Sequence, residues 1–125
     1  MKRLMAESCR LLFWIEIIMC FRSLSALYRR VETAKAETRE SGSLAGVEEL
    51  CRAIDLVCVF YPKRVLCLQR SAALVLLLRR HCIHAEMVIG ARTLPFKSHA
   101  WVEVGGVVVN DKPYIRGIYQ EMQRC

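Results

Sequence analysis

The feature that most constrains the fold of this chain is an apolar run between residues 72 and 78. The segment from Cys67 to Arg80 has the length and composition of a helix, and its middle places apolar side chains on almost every face. Such a helix has no polar side to present to water, so other elements must pack around it. We therefore expect a central helix against which a sheet packs, with Cys67 in its first turn.

Cys67 stands at the end of that helix where a thiol is most reactive. The first turn of a helix carries unpaired backbone amides and the positive end of the helix dipole, and both favour the thiolate, which is the nucleophilic form of cysteine. The backbone amide of Cys67 is also placed to donate to a developing oxyanion. The remaining cysteines lack this context and are expected to be structural: Cys9, Cys20, Cys51, Cys58, Cys82 and Cys125.

Length, cysteine usage and charge narrow the class of protein. A chain of 125 residues suits a single domain over 1–125, with a helical part over 1–60 and a mixed helix-and-strand part over 61–125 that contains Cys67. Seven cysteines without a Cys-x-x-Cys pair predict reduced thiols and a cytoplasmic location. No metal or other cofactor is expected, because the histidines and the cysteine at 81–84 lack a second ligand pair.

The net charge of +7 includes basic pairs at predicted helix ends. Positive side chains at these positions would compensate the helix dipole, and this structural role is favoured over nucleic-acid binding.

The first half of the chain predicts helices. Residues 5–39 read as one long helix or two, and Ser43 is a candidate cap for the helix that follows. That helix has apolar residues at three- and four-residue steps over 44–58, and Pro62 ends it.

Residues 11–21 form the most apolar part of the first half. This segment spans only 11 residues and contains Glu16, whereas a membrane-spanning helix needs about 20 apolar residues. We therefore expect no membrane span. Two alternatives stay open for this segment, which are burial in the core and docking on a partner protein.

The second half predicts a small antiparallel sheet. Residues 85–90 read as a strand and residues 91–97 as a loop containing Pro95. Residues 98–104 and 107–111 then form a hairpin around Gly105 and Gly106.

The register of this hairpin decides whether His99 can meet Asp111. A two-residue turn of Gly105 and Gly106 would turn the Asp111 side chain to the face away from His99. A three-residue turn with Gly106 left-handed sets the two side chains directly opposite each other, with Cβ atoms about 4.5–5.5 Å apart. We predict the three-residue turn, which pairs Glu103 with Val107, Trp101 with Val109 and His99 with Asp111.

Cys67, His99 and Asp111 together define a candidate catalytic triad. A thiolate attacks a carbonyl carbon, an imidazole holds and returns the proton, and a carboxylate fixes the imidazole tautomer. A cysteine at a helix start, a histidine opening one strand and an aspartate ending the next is the layout of papain-like and transglutaminase-like enzymes.

Several short segments match one family in order: Cys67-Leu-Gln-Arg-Ser-Ala-Ala-Leu, Leu77-Leu-Arg-Arg, Ala85-Glu-Met-Val-Ile-Gly90, Pro95-Phe, His99-Ala-Trp-Val-Glu-Val and Asn110-Asp111. Over residues 61–114 the chain thereby resembles the leader peptidases of lasso-peptide biosynthesis, which have a transglutaminase-like fold. The resemblance implies that Cys67 is the nucleophile, His99 the base and Asp111 the orienting acid. It departs from the family at residues 81–84, where a glycine and a proline are expected.

The fold implied by this resemblance is α+β, transglutaminase-like or papain-like, with N-terminal helices and the central cysteine-bearing helix packed on a small antiparallel sheet. The implied function is a cysteine endopeptidase that removes the leader from a ribosomally made lasso-peptide precursor through a thioester intermediate. Its implied partners are the precursor leader peptide, a separate leader-recognition protein and the ATP-dependent lasso cyclase. Two other functions stay open, which are another transglutaminase-like acyl transferase and a non-catalytic peptide-binding scaffold.

Overall fold

A group of helices comes first in the chain and a small sheet follows. The computed structural model describes residues 2–22, 24–36, 44–62, 65–81, 83–93 and 96–125. The helices are α1 (Lys2–Phe21), α2 (Leu24–Ala36), α3 (Leu44–Phe60), α4 (Cys67–Arg80) and the short α5 (Ile115–Ile118). The strands are β1 (Glu86–Thr93), β2 (Phe96–Val104), β3 (Val107–Val108) and β4 (Gln120–Arg124). They form an antiparallel sheet in the order β3-β2-β1-β4, and this architecture confirms the predicted α+β class.

Helix α4 lies at the centre of the fold, as its apolar run predicts. Residues 71–79 of this helix are all buried. The helix packs against α1, α2 and α3 and against strands β1 and β2 of the sheet. The predicted helix over 44–58 is also confirmed, and the segment predicted as one helix or two forms α1 and α2.

The two faces of the sheet have different neighbours. Because successive strand residues point to opposite faces, Met87 and its partner Val102 face one way, while Val88 and its partner Trp101 face the other. Met87 and Val102 belong to the main core with α4. Val88 and Trp101 pack instead with Ile115 of α5, in a smaller apolar cluster. His99 alternates with Trp101 and therefore belongs to this second face.

Arg79 joins the helices to the sheet from inside the core. Its residue is only 7% exposed. The guanidinium donates hydrogen bonds to the carbonyl of Val31 in α2, to that of Ala85 at 2.9 Å and to that of Cys125 at 3.0 Å. Burial lowers the pKa of Arg79, but three carbonyl partners satisfy the charged group where water is excluded.

Helix α1 is divided between the core and the surface. Leu12 and Ile15 are buried, whereas Phe13 and Phe21 are 59% and 82% exposed. The segment 11–21 therefore packs one face into the core and leaves apolar side chains on the other. None of the described helices is long and apolar enough to cross a membrane.

Several boundaries in the second half differ from the prediction. The loop predicted over 91–97 was too long, because β1 continues to Thr93 and β2 begins at Phe96, with Arg92 paired to Lys97. These positions lack apolar alternation, so nothing in the sequence indicated a strand. The same absence explains why β4, whose residues are mostly exposed, was not predicted. The predictions for Ser43, Cys82 and Pro95 lie outside the described residues.

Candidate active site

Cys67 is the first residue of helix α4 and is exposed to solvent. Leu66 precedes it in an extended conformation and acts as the N-cap residue. The Gln69 side chain accepts a hydrogen bond from the Leu66 N–H at 3.0 Å, and the Arg70 N–H donates to the Leu66 carbonyl at 2.9 Å. These bonds fix the start of the helix. The thiol is thus accessible at the positive end of the helix dipole, as predicted.

His99 and Asp111 are in direct contact. Nε2 of His99 is hydrogen-bonded to Oδ2 of Asp111, and Oδ1 of the same carboxylate accepts from the Lys112 N–H at 2.7 Å. The side chains of His99 and Asp111 are 24% and 19% exposed, so the pair is partly shielded from water.

The environment of Asp111 favours its ionised form. Burial raises the pKa of the Asp111 carboxyl, but the hydrogen bonds from His99 and from the Lys112 N–H lower it. The nearby charges of His99 and Arg70 lower it further, so that the pKa lies below its usual range. At neutral pH the group is therefore a carboxylate that accepts hydrogen bonds.

The register predicted for the β2–β3 hairpin is wrong. Val104 pairs with Val107 and Glu103 with Val108, so the turn has two residues and not three. Gly105 and Gly106 both have positive φ, at 59° and 80°, which is the backbone of a type I′ turn. The twist of this turn matches that of the strands, whereas the predicted turn requires only Gly106 to be left-handed.

Asp111 reaches His99 because the chain leaves the ladder after Val109. The Val109 N–H donates to the Val102 carbonyl at 3.0 Å, as the register requires. The Val102 N–H does not donate to the Val109 carbonyl in return, but to Oδ1 of the Asn110 side chain at 2.8 Å. The Val109 carbonyl accepts instead from Sγ of Cys51 at 3.6 Å. The predicted contact between His99 and Asp111 is thus present, but through a different backbone path.

No hydrogen bond joins Cys67 to His99 or Asp111 within the described residues. Their connection runs through Ser71, which lies one helical turn beyond Cys67, at the spacing where Cβ atoms are about 5–6 Å apart. The Ser71 hydroxyl donates to the carbonyl of Ala100, the residue after His99, at 3.0 Å. The start of α4 is therefore tied to β2 next to the histidine.

Aromatic side chains hold the other side of the imidazole. The His99 ring stacks against Tyr119 at 5.4 Å and against Trp101 at 6.3 Å between ring centroids. The indole N–H of Trp101 donates to the carboxylate of Glu103 at 2.8 Å, and Glu103 is only 2% exposed. Asp111 occupies Nε2 of the imidazole, so Nδ1 is the nitrogen that can receive a proton from a thiol.

The sequence alone did not identify Ser71, Asn110 or Tyr119 as part of this site. Asn110 belongs to the Asn110-Asp111 segment that matches the family, but its role depends on its contacts with Val102 and Ser71. The role of Tyr119 had no such signal, because it depends on the position of the unpredicted β4.

Cys51 and Cys58 differ from the exposed Cys67 in being partly buried. Burial is the main cause that raises the pKa of Cys51 to about 11, and burial also raises the pKa of Cys58. Among the described residues, no group of three or more His, Cys, Asp or Glu side chains could hold a metal ion.

Comparison with known proteins places this fold in a family. A family model for the transglutaminase-like superfamily matches residues 11–124, and the chain belongs to that superfamily. It is also similar to the microcin J25-processing protein McjB of Escherichia coli, with 56% identity over 50 residues. That match covers 40% of this chain and 24% of the relative. No solved structure matches the chain significantly. The two matches confirm the resemblance recognised in the sequence.

Proposed function

We propose that the protein is a cysteine endopeptidase that removes the leader from a ribosomally made lasso-peptide precursor. The observation that carries this proposal is the His99–Asp111 pair, which lies beside the contacts that tie β2 to the helix starting at Cys67. The similarity to a microcin-processing protein supports a peptide precursor as the substrate. A reduced thiol is required, which fits a cytoplasmic location.

The proposed reaction begins with proton transfer from Cys67 to His99. With Nε2–H donating to the Asp111 carboxylate, Nδ1 carries the lone pair that accepts the thiol proton. The thiolate attacks the carbonyl carbon at the leader–core junction and forms a tetrahedral oxyanion. The first-turn amides of α4, including that of Cys67, are the available donors to this oxyanion.

Two further steps complete the cycle. The carbon–nitrogen bond breaks, and the departing amine of the core takes the proton from the imidazolium, which leaves the leader as a thioester on Cys67. Water then attacks the thioester while His99 accepts one proton and returns it to the sulfur. The products are a leader with a free carboxylate and a core with a free amino terminus. A cyclase that acylates that amine would act next.

The proposal includes partners that follow from the resemblance. These are the precursor leader peptide, a separate leader-recognition protein and the ATP-dependent lasso cyclase. The exposed apolar face of α1, around Phe13 and Phe21, is the candidate docking surface for the recognition protein.

Cleavage of a precursor peptide tests the proposal. The purified chain is incubated with a lasso-peptide precursor and a leader-recognition protein, and the products are identified by mass spectrometry. Cys67→Ala should abolish cleavage and keep the fold, whereas the matched variant Cys58→Ala should retain activity. Comparable cleavage by wild type and Cys67→Ala would refute the assignment. Transfer of the leader to an added amine, without release of a free carboxylate, would identify the acyl transferase instead.

A further inference from the structure

We propose that Asn110 is a positioning residue whose side-chain amide replaces one backbone rung of the β2–β3 ladder and thereby sets Asp111 on His99. This inference rests on the proposed triad, since it concerns how the acid reaches the base. Asn110 touches neither the imidazole nor the thiol in the contacts described above, so it acts through its neighbour in the chain.

Asn110 is held by three hydrogen bonds, one with strand β2 and two with helix α4. Its Oδ1 accepts from the Val102 N–H at 2.8 Å, and its Nδ2 donates to the Ser71 hydroxyl at 3.1 Å. Its backbone carbonyl accepts from Nη2 of Arg70 at 2.8 Å. Ser71 is fully buried, so its position is fixed by the packing of α4. Both ends of the carboxamide are therefore used, and no side chain without a donor and an acceptor can replace it.

The amide selects between two paths for the chain after Val109. If the Val109 carbonyl accepted the Val102 N–H, the regular ladder would continue and Asp111 would lie opposite Ala100, with its side chain on the face away from His99. The Asn110 carboxamide takes that N–H, and the chain leaves the ladder one residue before the acid. The two-residue hairpin turn sets a register that would point Asp111 away from His99. The replacement of the Val109 carbonyl by the Asn110 carboxamide is therefore what makes the His99–Asp111 contact possible.

The size of the effect follows from the geometry of the contact. A displacement of about 1 Å in a reacting group can cost about 10²-fold in rate. Return to the regular ladder would move the Asp111 carboxylate by more than that. We expect Asn110→Ala to slow any reaction that depends on the Asp111–His99 pair by about 10²-fold.

Alkylation of Cys67 by iodoacetamide measures this without a peptide substrate. The rate is followed by mass spectrometry in wild type, Asn110→Ala, Asp111→Ala and the double variant. Asn110→Ala should slow labelling, and in the Asp111→Ala background it should have no further effect, because it acts through Asp111. The exposed carboxamide variant Gln123→Ala should label as wild type does. A slowing by Asn110→Ala that is equally large in both backgrounds would overturn the proposal.

The titration of Asp111 provides a readout that does not depend on the proposed function. Carboxyl-carbon NMR should show that Asn110→Ala raises the pKa of Asp111, because the hydrogen bond from His99 is lost. Ser71→Ala, which removes one anchor of Asn110 and alters none of the three triad side chains, should move this pKa in the same direction by a smaller amount. An unchanged Asp111 titration in both variants would refute the positioning role. Absence of peptide cleavage with this shift present would instead refute the peptidase function alone.

Discussion

Gly90 allows the indole of Trp101 to lie directly against strand β1, and Gly90→Ala tests how tightly this part of the site is packed. A Cβ atom at this position would lie 2.7 and 2.8 Å from two carbons of the Trp101 ring and 3.0 Å from Cβ of Tyr119. Trp101 is 1% exposed and is hydrogen-bonded to Glu103, so the indole cannot move away freely. The added methyl group must therefore displace packed atoms.

The expected cost comes from two opposing contributions. Overpacking of a core typically destabilises by about 1–3 kcal/mol, whereas the reduced freedom of the unfolded chain returns about 0.4–1 kcal/mol. Gly90→Ala should therefore lower the free energy of unfolding by about 1 kcal/mol, and by no more than about 2.6 kcal/mol. Gly117 provides a matched control, because a Cβ there has no atom within 4 Å. Gly117→Ala, in the short helix α5, should stabilise by about 0.5–1 kcal/mol.

Urea unfolding followed by circular dichroism measures both variants. The midpoint should fall for Gly90→Ala and rise for Gly117→Ala, with similar denaturant slopes. Because Trp101 also stacks on His99, Gly90→Ala should in addition reduce any activity of the triad, whereas Gly117→Ala should not. A Gly90→Ala protein at least as stable as wild type, or equal losses in the two variants, would refute the reasoning.

Three further predictions concern the proposed triad. Asp111→Asn should reduce cleavage by up to about 10⁴-fold without abolishing it, and His99→Ala should reduce it more, whereas an unimpaired Asp111→Asn enzyme would remove the acid from the mechanism. Iodoacetamide at pH 8 should label Cys67 before Cys51 and Cys58, since a pKa of about 11 leaves about one Cys51 thiol in 10³ ionised; faster labelling of Cys51 would contradict its burial. Because the pKa of Asp111 is lower in the folded protein, the carboxylate stabilises the fold at pH values above its unfolded-state pKa. This stabilisation is lost as the pH falls and the carboxylate is protonated. Below about pH 4 the free energy of unfolding should thus fall more in wild type than in Asp111→Asn, and equal acid dependence would count against the shift.

The central helix and the hairpin could be predicted because their signals are local. An apolar run with Cys67 before it indicates a buried helix whatever surrounds it, and two adjacent glycines indicate a turn. Strand β4 carries no such signal, since its residues are mostly exposed and polar, and it pairs with β1 through the backbone ladder and an ion pair between Arg124 and Glu86. This strand forms because the edge of β1 that does not pair with β2 is open to another strand. No pattern within residues 120–124 indicates this.

The contact between His99 and Asp111 was predicted correctly, although the hairpin register that was predicted with it is wrong. The pairing of His99 with Asp111 was predicted from the needs of the chemistry, and the register was then chosen to satisfy it. In the structure the two glycines form a two-residue turn. The Asn110 side chain then bonds to Val102, so that Asp111 meets His99 in spite of the register. The sequence could not reveal this, because a carboxamide that replaces a backbone carbonyl is recognisable only when Val102 and Ser71 are already in place.

Arg79 has a consequence for how the chain assembles. The carbonyls that its guanidinium binds lie 48 residues before it in α2 and 46 residues after it at Cys125. Each of these contacts closes a long loop, and the chain loses the entropy of that closure before it gains the contact. A chain growing from the ribosome holds this charge without its last partner until residue 125 has emerged. The contact between α4 and Cys125 therefore forms only after helices α1 to α4 have been synthesised.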